Sequence, residues 1–436
     1  MPCRLPKALT GTLRVPGDKS ITHRGLIFSA LARGRVAITG ASTAVDCRSS
    51  ADCLGALGLS IAMDHGPEGR RFVVETGGLE SLKEPAGPLD AGNSGTTMRL
   101  LAGLLAGRPF TSVLTGDASL RRRTMKRVIE PLAAMGAVIE AEGGDYAPLT
   151  IRGGNLHGAD FDLVVASAQV ETCIVLAGLQ AEGRTSVTIP HLVRDHSRRL
   201  FDHAGIDYQS SDPLNLSVSR LQSPLAPFDL EVPADISSAA FFMVAAALVP
   251  GSSVTLTRVG VNPGRVLIVD LLREMGASIE AVSSCNLGTE PVADLRVRHR
   301  ERLEGVSVGA DRIAAGIDEL PILALAGAFC RGRLTVTGAA ELRHKESDRI
   351  SLICRNLASA GARVKELPDG FVIEGGEELK GGSAWLTAGD HRLAMTGRIA
   401  SLLCREPVAI EDPSCIGVSY PEFDDHLDSL MGGGNG

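Results

Sequence analysis

Apolar runs about ten residues long, each opened by a short polar segment, recur six times along the chain. The openings are Asp18-Lys19-Ser20, Gly92-Asn93-Ser94, Ser167-Ala168-Gln169, Ala234-Asp235-Ile236, Asp318-Glu319-Leu320-Pro321 and Asp390-His391-Arg392. Each opening carries residues that cap helices, and the Ala- and Leu-rich run behind it has the length and periodicity of a buried helix. A glycine-containing turn follows, and then a short run rich in Val, Ile or Thr that reads as a strand: residues 35–39, 112–115, 186–189, 253–256, 333–337 and 407–410. A second helix is expected in every unit. In five of them it runs into a small-residue corner such as Leu132-Ala133-Ala134-Met135-Gly136-Ala137. The repeat spacing of roughly 70 to 80 residues is longer than ordinary solenoid periods. Six such units suggest an α/β protein of two similar globular domains with three units each, and periodicity alone is met equally by a continuous six-unit array. The N-terminal strand-like run at 12–15 is expected to complete the last unit.

Bulk properties narrow the function. The chain has 436 residues, 44% of them hydrophobic, enough for at least two packed cores. Its net charge of -7 and its 3% aromatic content argue against a broad polyanion-binding face and against stacking on nucleic-acid bases. No run of about 18 apolar residues is present, and residues 1–9 lack a long apolar core, so a cytoplasmic protein without membrane insertion is expected. The nine cysteines contain no C-x-x-C pair and read mostly as small core hydrophobes. His191, His196 and His203 do not have the spacing of a familiar metal motif, and neither metal nor organic cofactor is expected.

Basic residues therefore act locally. Val15-Pro16-Gly17-Asp18-Lys19-Ser20-Ile21-Thr22-His23-Arg24 combines a turn, a helix start and two cations, with Asp18 or Ser20 as the cap. Amides at a helix start already favour anions, so this reads as an anion clamp; an ordinary capped, solvated helix start is the alternative. It is not a nucleotide P-loop, because no Gly-x-x-x-x-Gly-Lys frame surrounds Lys19. The loops after three of the strands are also cationic: 116–127, 191–196 and 341–349. Asp318, Glu346 and Asp390 are candidate carboxylates, either as proton carriers or as salt-bridge partners.

Val-Pro-Gly-Asp-Lys-Ser at 15–20, Gly-Asn-Ser-Gly-Thr-Thr-Met-Arg at 92–99, Ala-Ser-Ala-Gln at 166–169, Lys-Glu-Ser-Asp-Arg at 345–349 and Asp-His-Arg at 390–392 resemble, in order, the 5-enolpyruvylshikimate-3-phosphate synthase family. The resemblance implies the enolpyruvyl transferase fold: two domains, each of three βαβαββ-type units, joined by a two-strand hinge. It places domain I at 1–14 and 234–436 and domain II at 15–233, with the active site in the interdomain cleft and closure driven by the anionic substrate. It implies transfer of the carboxyvinyl group of phosphoenolpyruvate to the 5-hydroxyl of shikimate-3-phosphate, with release of phosphate, by a monomer that glyphosate inhibits.

Carried over by motif, the resemblance puts Lys19, Ser20, Arg24, Ser167, Ala168, Gln169, Arg194, Asp318 and Lys345 around shikimate-3-phosphate. Lys19, Asn93, Gly95, Arg123, Gln169, Arg349 and Arg392 fall around phosphoenolpyruvate, with His391 close by. Lys19, Asp318 and Glu346 become the catalytic groups. Ala168 and Leu100 stand where many members carry Ser and Pro, which resembles the divergent second class. Thr124 stands where Pro is common, and residues 411–421 lack the lysine many relatives direct at phosphoenolpyruvate. Two alternatives are the related enzyme acting on UDP-N-acetylglucosamine, whose start motif and loop cysteine have no equivalent in the sequence, and a noncatalytic anion-binding relative.

Overall fold

The computed structural model describes residues 7–66, 69–376 and 378–432. They form two compact units, divided between Pro16 and Gly17 and between Val232 and Pro233. The second unit is Gly17–Val232 together with Leu287–Glu290, and the first holds the remainder. Cys3, one of the nine cysteines, lies outside the described residues. Of the eight described ones, all but Cys285 are buried.

The helices, in chain order, are α1 Lys19–Ser29, α2 Val45–Ala56, α3 Gly95–Ala106, α4 Lys126–Ala134, α5 Ala168–Gly178, α6 His196–Ala204, α7 Ile236–Leu248, α8 Leu267–Glu274, α9 Ala310–Ile313, α10 Leu320–Ala328, α11 Arg349–Ser359, α12 His391–Leu403 and α13 Phe423–Gly432. The first helices of the six repeats are α1, α3, α5, α7, α10 and α12. They are buried nearly all round: in α7 only Leu248 is not fully inside. A helix without a polar face belongs in the middle of a core, and each unit has one, running from Ile21 to Val232 in the second and from Leu9 to Leu430 in the first. Among the described residues no helix is long and apolar enough to cross a membrane.

The repeat is a βαβαββ unit. In the second repeat Leu89–Asp90 lies parallel to Thr111–Thr115 across α3, and Tyr146–Arg152 and Val138–Glu142 extend the sheet antiparallel. Five repeats build such a four-stranded sheet; among the described residues of the sixth, Ala384–Trp385 pairs with Ala409–Ile410, and Gly381 bridges to Glu406.

The N-terminal strand departs from expectation. Thr10–Leu13 pairs in parallel with Ser253–Gly260, so it leads the fourth repeat's sheet and not the sixth's, although α13 packs against it. Conversely Asp229–Glu231, which precedes the fourth repeat's helix, pairs in parallel with Arg33–Ala41 of the first. The two repeats have exchanged their leading strands. The backbone between strand and helix fixes the exchange: Asp235 N–H donates to the Pro16 carbonyl at 2.9 Å.

Candidate active site

In the second unit the starts of α1, α3 and α5 are each closed by a side-chain cap. Asp18 accepts from Ile21 N–H, Ser94 from Thr97 N–H and Ser167 from Val170 N–H. The turn before α1 needs glycine, since a Cβ on Gly17 would sit 1.9 Å from the Gly40 carbonyl oxygen. Lys19, first in α1, places Nζ 3.0 Å from Asp46 Oδ2 on α2. Ser20 Oγ accepts from Arg194 Nη1 at 3.0 Å.

Arg24 is buried and committed to the protein. Its Nε donates to Ser197 Oγ at 2.8 Å, Nη1 to the Ser20 carbonyl at 3.2 Å, and Nη2 to the Ala168 carbonyl and Thr172 Oγ1 at 3.1 and 2.9 Å. It ties α1 to α5 and α6. Burial, with Arg194 nearby, brings its pKa down to about 10. Arg24 thus supports Ser20 and Ala168 from behind, a role the resemblance did not give it. Alongside, Arg198 Nη2 meets Glu171 Oε1 at 2.9 Å, and burial pushes the Glu171 carboxyl up against the pull of Arg198.

A second cationic group forms at α3. Arg123 Nη2 donates to Asn93 Oδ1 at 2.7 Å, and Asn93 Nδ2 donates to Asp117 Oδ2 at 2.7 Å. Gln169 accepts from Arg99 Nη1 at 2.6 Å and donates to Thr96 Oγ1 at 2.8 Å. Gly95 lies between the two guanidinium groups: a Cβ there would be 3.0 Å from Arg99 Nη1 and 3.6 Å from Arg123 Nη1. Arg99 and Asp46 were absent from the sequence-derived set. Arg99 carried a signal, since it follows Gly95 by four residues and so shares its helix face; Asp46 carried none. Within the basic loop only Arg123 turns to Asn93, while Arg121 meets exposed Glu142 at 3.0 Å.

Behind Lys19 runs a buried chain of polar side chains. His23 Nδ1 lies 2.8 Å from Ser50 Oγ, which lies 2.7 Å from Thr97 Oγ1, which donates to the capping Ser94 Oγ at 2.8 Å. Burial, then Lys19 and Arg24, hold the His23 pKa well below the usual imidazole range, so the ring is neutral. His196 Nδ1 lies 2.7 Å from Glu290 Oε1, and His203 Nε2 2.7 Å from the Asp229 carbonyl.

In the first unit the polar cluster is built around Arg349, first in α11 and 1% exposed. Its Nε donates to Asp390 Oδ2 at 2.8 Å, Nη2 to Glu346 Oε2 at 2.6 Å and Nη1 to Asp318 Oδ1 at 3.3 Å. Burial opposes the charge, yet the carboxylates of Asp390, Glu346 and Asp318 raise the Arg349 pKa above its ordinary value. Burial likewise works to raise Asp390, but Arg349 outweighs it and holds that carboxyl below the usual range. Lys345 Nζ adds a contact to Asp318 Oδ1 at 3.5 Å. Asp390 also caps α12 by accepting from Arg392 N–H, and places His391 and Arg392 in the first turn. Arg392 Nη1 reaches Glu319 Oε1 at 3.9 Å.

Asp318 does not cap α10, whose start relies on Pro321. The departures noted in sequence are accommodated locally. Leu100 is fully buried, Ala168 offers its carbonyl to Arg24, and Thr124 Oγ1 accepts from Lys126 N–H at 3.3 Å. Residues Pro413–Val418 form a 3-10 turn against α12 and present no lysine.

Comparison with known proteins gives one consistent result. A family model described as EPSP synthase (3-phosphoshikimate 1-carboxyvinyltransferase) matches residues 3–427. A 3-phosphoshikimate 1-carboxyvinyltransferase of Alkalilimnicola ehrlichii is 48% identical over 417 residues, covering 95% of this chain and 92% of that protein. One of Bacillus subtilis is 44% identical over 425 residues, covering 97% and 98%. A solved EPSP synthase structure from Acinetobacter baumannii superposes with a TM-score of 0.85 at 39% identity, covering 98% and 96%. The enolpyruvyl transferase NikO from Streptomyces tendae, at 17% identity and a TM-score of 0.76 over 97% and 95% of the chains, shares the fold.

Proposed function

We propose that this chain, which belongs to the EPSP synthase (3-phosphoshikimate 1-carboxyvinyltransferase) family, transfers the carboxyvinyl group of phosphoenolpyruvate to the 5-hydroxyl of shikimate-3-phosphate. The observation that carries this reading is the family match along nearly the whole chain. Both substrates carry a phosphate and a carboxylate, so recognition calls for several lysine and arginine side chains in fixed geometry. Lys19, Ser20, Arg194, the start of α5 from Ser167 to Gln169 and Lys345 supply this for shikimate-3-phosphate, with Arg24 bracing Ser20 and Ala168. Asn93, Gly95, Arg123, Gln169, Arg349 and Arg392 serve phosphoenolpyruvate.

In the first half-reaction Asp318 takes the proton of the attacking hydroxyl as its oxygen bonds to C2 of phosphoenolpyruvate, and Glu346 delivers a proton to the methylene carbon. The product is a tetrahedral adduct with a methyl group. In the second half-reaction the Glu346 carboxylate takes a proton back from that methyl group, the C2–O bond to phosphate breaks, the carbon–carbon double bond returns, and the proton held by Asp318 leaves with the phosphate. Lys19 stabilises charge on the departing phosphate.

The test is phosphate release on mixing the purified chain with phosphoenolpyruvate and one acceptor at a time. Release with shikimate-3-phosphate alone is expected. Release only with UDP-N-acetylglucosamine would transfer the chain to the related activity, and release with neither would leave it a noncatalytic relative.

A further inference from the structure

Arg265 belongs to none of the motifs that carry the family resemblance, yet it lies among the first unit's carboxylates. It ends the turn after the strand Ser253–Gly260, where Asn262 accepts from Gly264 N–H, and it is 4% exposed. Its Nη2 donates to Ser237 Oγ at 2.6 Å and lies 3.6 Å from Asp235 Oδ1, at the start of α7. Its Nη1 lies 3.9 Å from Asp318 Oδ2 and 3.8 Å from Glu319 Oε1. Ser237 Oγ donates in turn to Glu319 Oε1, the oxygen that Arg392 approaches.

Asp318 is therefore addressed from two sides. Lys345 and Arg349 face its Oδ1, and Arg265 faces its Oδ2. The charged groups that share these cations are Glu346 and Asp390, both bound to Arg349, and Asp235 and Glu319, both beside Arg265, with Arg392 near Glu319. Lys345 is partly exposed, and Arg349 divides its guanidinium among three carboxylates. Arg265 is buried, planar and anchored by Ser237, so it fixes where the second oxygen of Asp318 points.

We propose that Arg265 is a positioning residue for proton transfer, holding the Asp318 carboxylate by its inner oxygen so that the outer one meets the acceptor hydroxyl. The inference rests on Asp318 being the base in the reaction proposed above. A cation at this distance also favours the ionised carboxyl, so removing it raises the Asp318 pKa and moves the acidic limb of the kcat profile to higher pH.

The experiment is steady-state phosphate release from shikimate-3-phosphate and phosphoenolpyruvate across pH for the parent, Arg265→Gln, Arg265→Lys, Asp318→Asn and the double variant Arg265→Gln/Asp318→Asn. Arg265→Gln is expected to lower kcat at least about 100-fold and to shift the acidic limb upward by about 1 to 3 pH units. The KM of either substrate should move far less. Arg265→Lys, which keeps the charge but loses the planar fork, should retain the limb and lose about 10-fold in kcat. In the Asp318→Asn background Arg265→Gln should cost little more, because two residues acting as a unit are not additive.

An unmoved limb, additive losses, or a rise in KM at unchanged kcat would each overturn the inference. If Arg265→Gln does not fold, Arg265→Lys decides alone, and full kcat in that variant overturns the positioning role. Absence of phosphate release by the parent overturns the reaction itself, a result distinct from an active parent with indifferent Arg265 variants.

Discussion

In the second unit Arg24 gives its guanidinium to two backbone carbonyls and two hydroxyls, whereas in the first Arg349 gives its own to three carboxylates. Both side chains are 1% exposed. Neutral acceptors satisfy the hydrogen-bond geometry of Arg24 but leave its charge without a contacting counter-ion, and its pKa falls to about 10. Carboxylates compensate the charge of Arg349, and its pKa rises. Arg123 and Arg99 donate to amide oxygens of Asn93 and Gln169, and Lys345 lies beside Asp318. Cations held by neutral groups keep their field for an incoming anion. Where a carboxylate holds the cation, as Asp390 holds Arg349, the carboxyl is kept ionised and oriented in return. In the reaction proposed above, the first arrangement suits anion binding and the second holds the carboxylates assigned to proton transfer; Lys19, paired with Asp46 in the second unit, is the exception.

The sharpest way to break this comparison is to remove the compensated charge. Arg349→Met leaves Asp390 buried and unpaired, a loss of about 3–5 kcal/mol at neutral pH. The sign with pH distinguishes the cause. In the parent the depressed Asp390 pKa contributes stability that is present above the unfolded value of about 3.9 and lost as pH falls through the folded one. In the variant the largest opposing influence on Asp390 is gone, burial and the Glu346 carboxylate outweigh what His391, Ser347 and Arg392 N–H still supply, its pKa rises, and protonation relieves the strain. Urea unfolding at two pH values should therefore show a smaller deficit relative to parent in mild acid than at neutral pH; equal deficits would mean that Asp390 is not the group left uncompensated.

Next in size, Lys19→Met keeps the apolar stem and removes the cation. Phosphate release should fall at least about 100-fold while the melting temperature changes little. Activity within a few-fold of the parent would make Lys19 a bystander to its Asp46 pairing.

Arg24→Met removes a buried charge whose partners are neutral, so no carboxylate in contact is orphaned. The expected cost is about 1.5–3 kcal/mol, the range for hydrogen bonds to a charged group, and smaller than for Arg349→Met. A loss equal to or larger than that of Arg349→Met, measured in the same urea series, would erase the distinction between the clusters.

The smallest effect is steric. The Cβ of Gly95→Ala would point at Arg99 and Arg123, and in the proposed site glyphosate occupies the phosphoenolpyruvate pocket while extending beyond that substrate. The variant should raise the inhibition constant for glyphosate by at least about 10-fold more than it raises the KM for phosphoenolpyruvate, in line with discrimination by a single small group. Equal losses would place Gly95 away from the pocket.

The six repeats were legible because their signals are local. Asp18, Ser94, Ser167, Asp235 and Asp390 cap the helices the sequence marks, each through a backbone N–H two or three residues on. The fifth start misled in detail, since Asp318 turns to Lys345 and Arg349 and leaves Pro321 to begin the helix. What stayed hidden depends on distant partners. Whether Arg24 faces a ligand or three helices of its own protein is decided by Ser197 and Thr172, and nothing in residues 15–24 announces them. Arg265 has no motif, and its place follows only once the starts of α7 and α10 are brought beside it. The partner of the N-terminal strand is equally nonlocal, and edge strands of similar composition in six repeats gave no basis for choosing among them.

That strand also sets an order of events during synthesis. Leu9, at its threshold, donates its amide to Ser252, 243 residues later in the chain. At about 5–20 residues per second, the strand waits roughly ten to fifty seconds for the sheet it leads. Gly17–Val232 meanwhile emerges as an uninterrupted segment that carries its own closing strand, Asp229–Glu231. The middle of the polypeptide can therefore finish its core on the ribosome while the two ends of the other unit are still apart, and the first residues made are among the last to find their place.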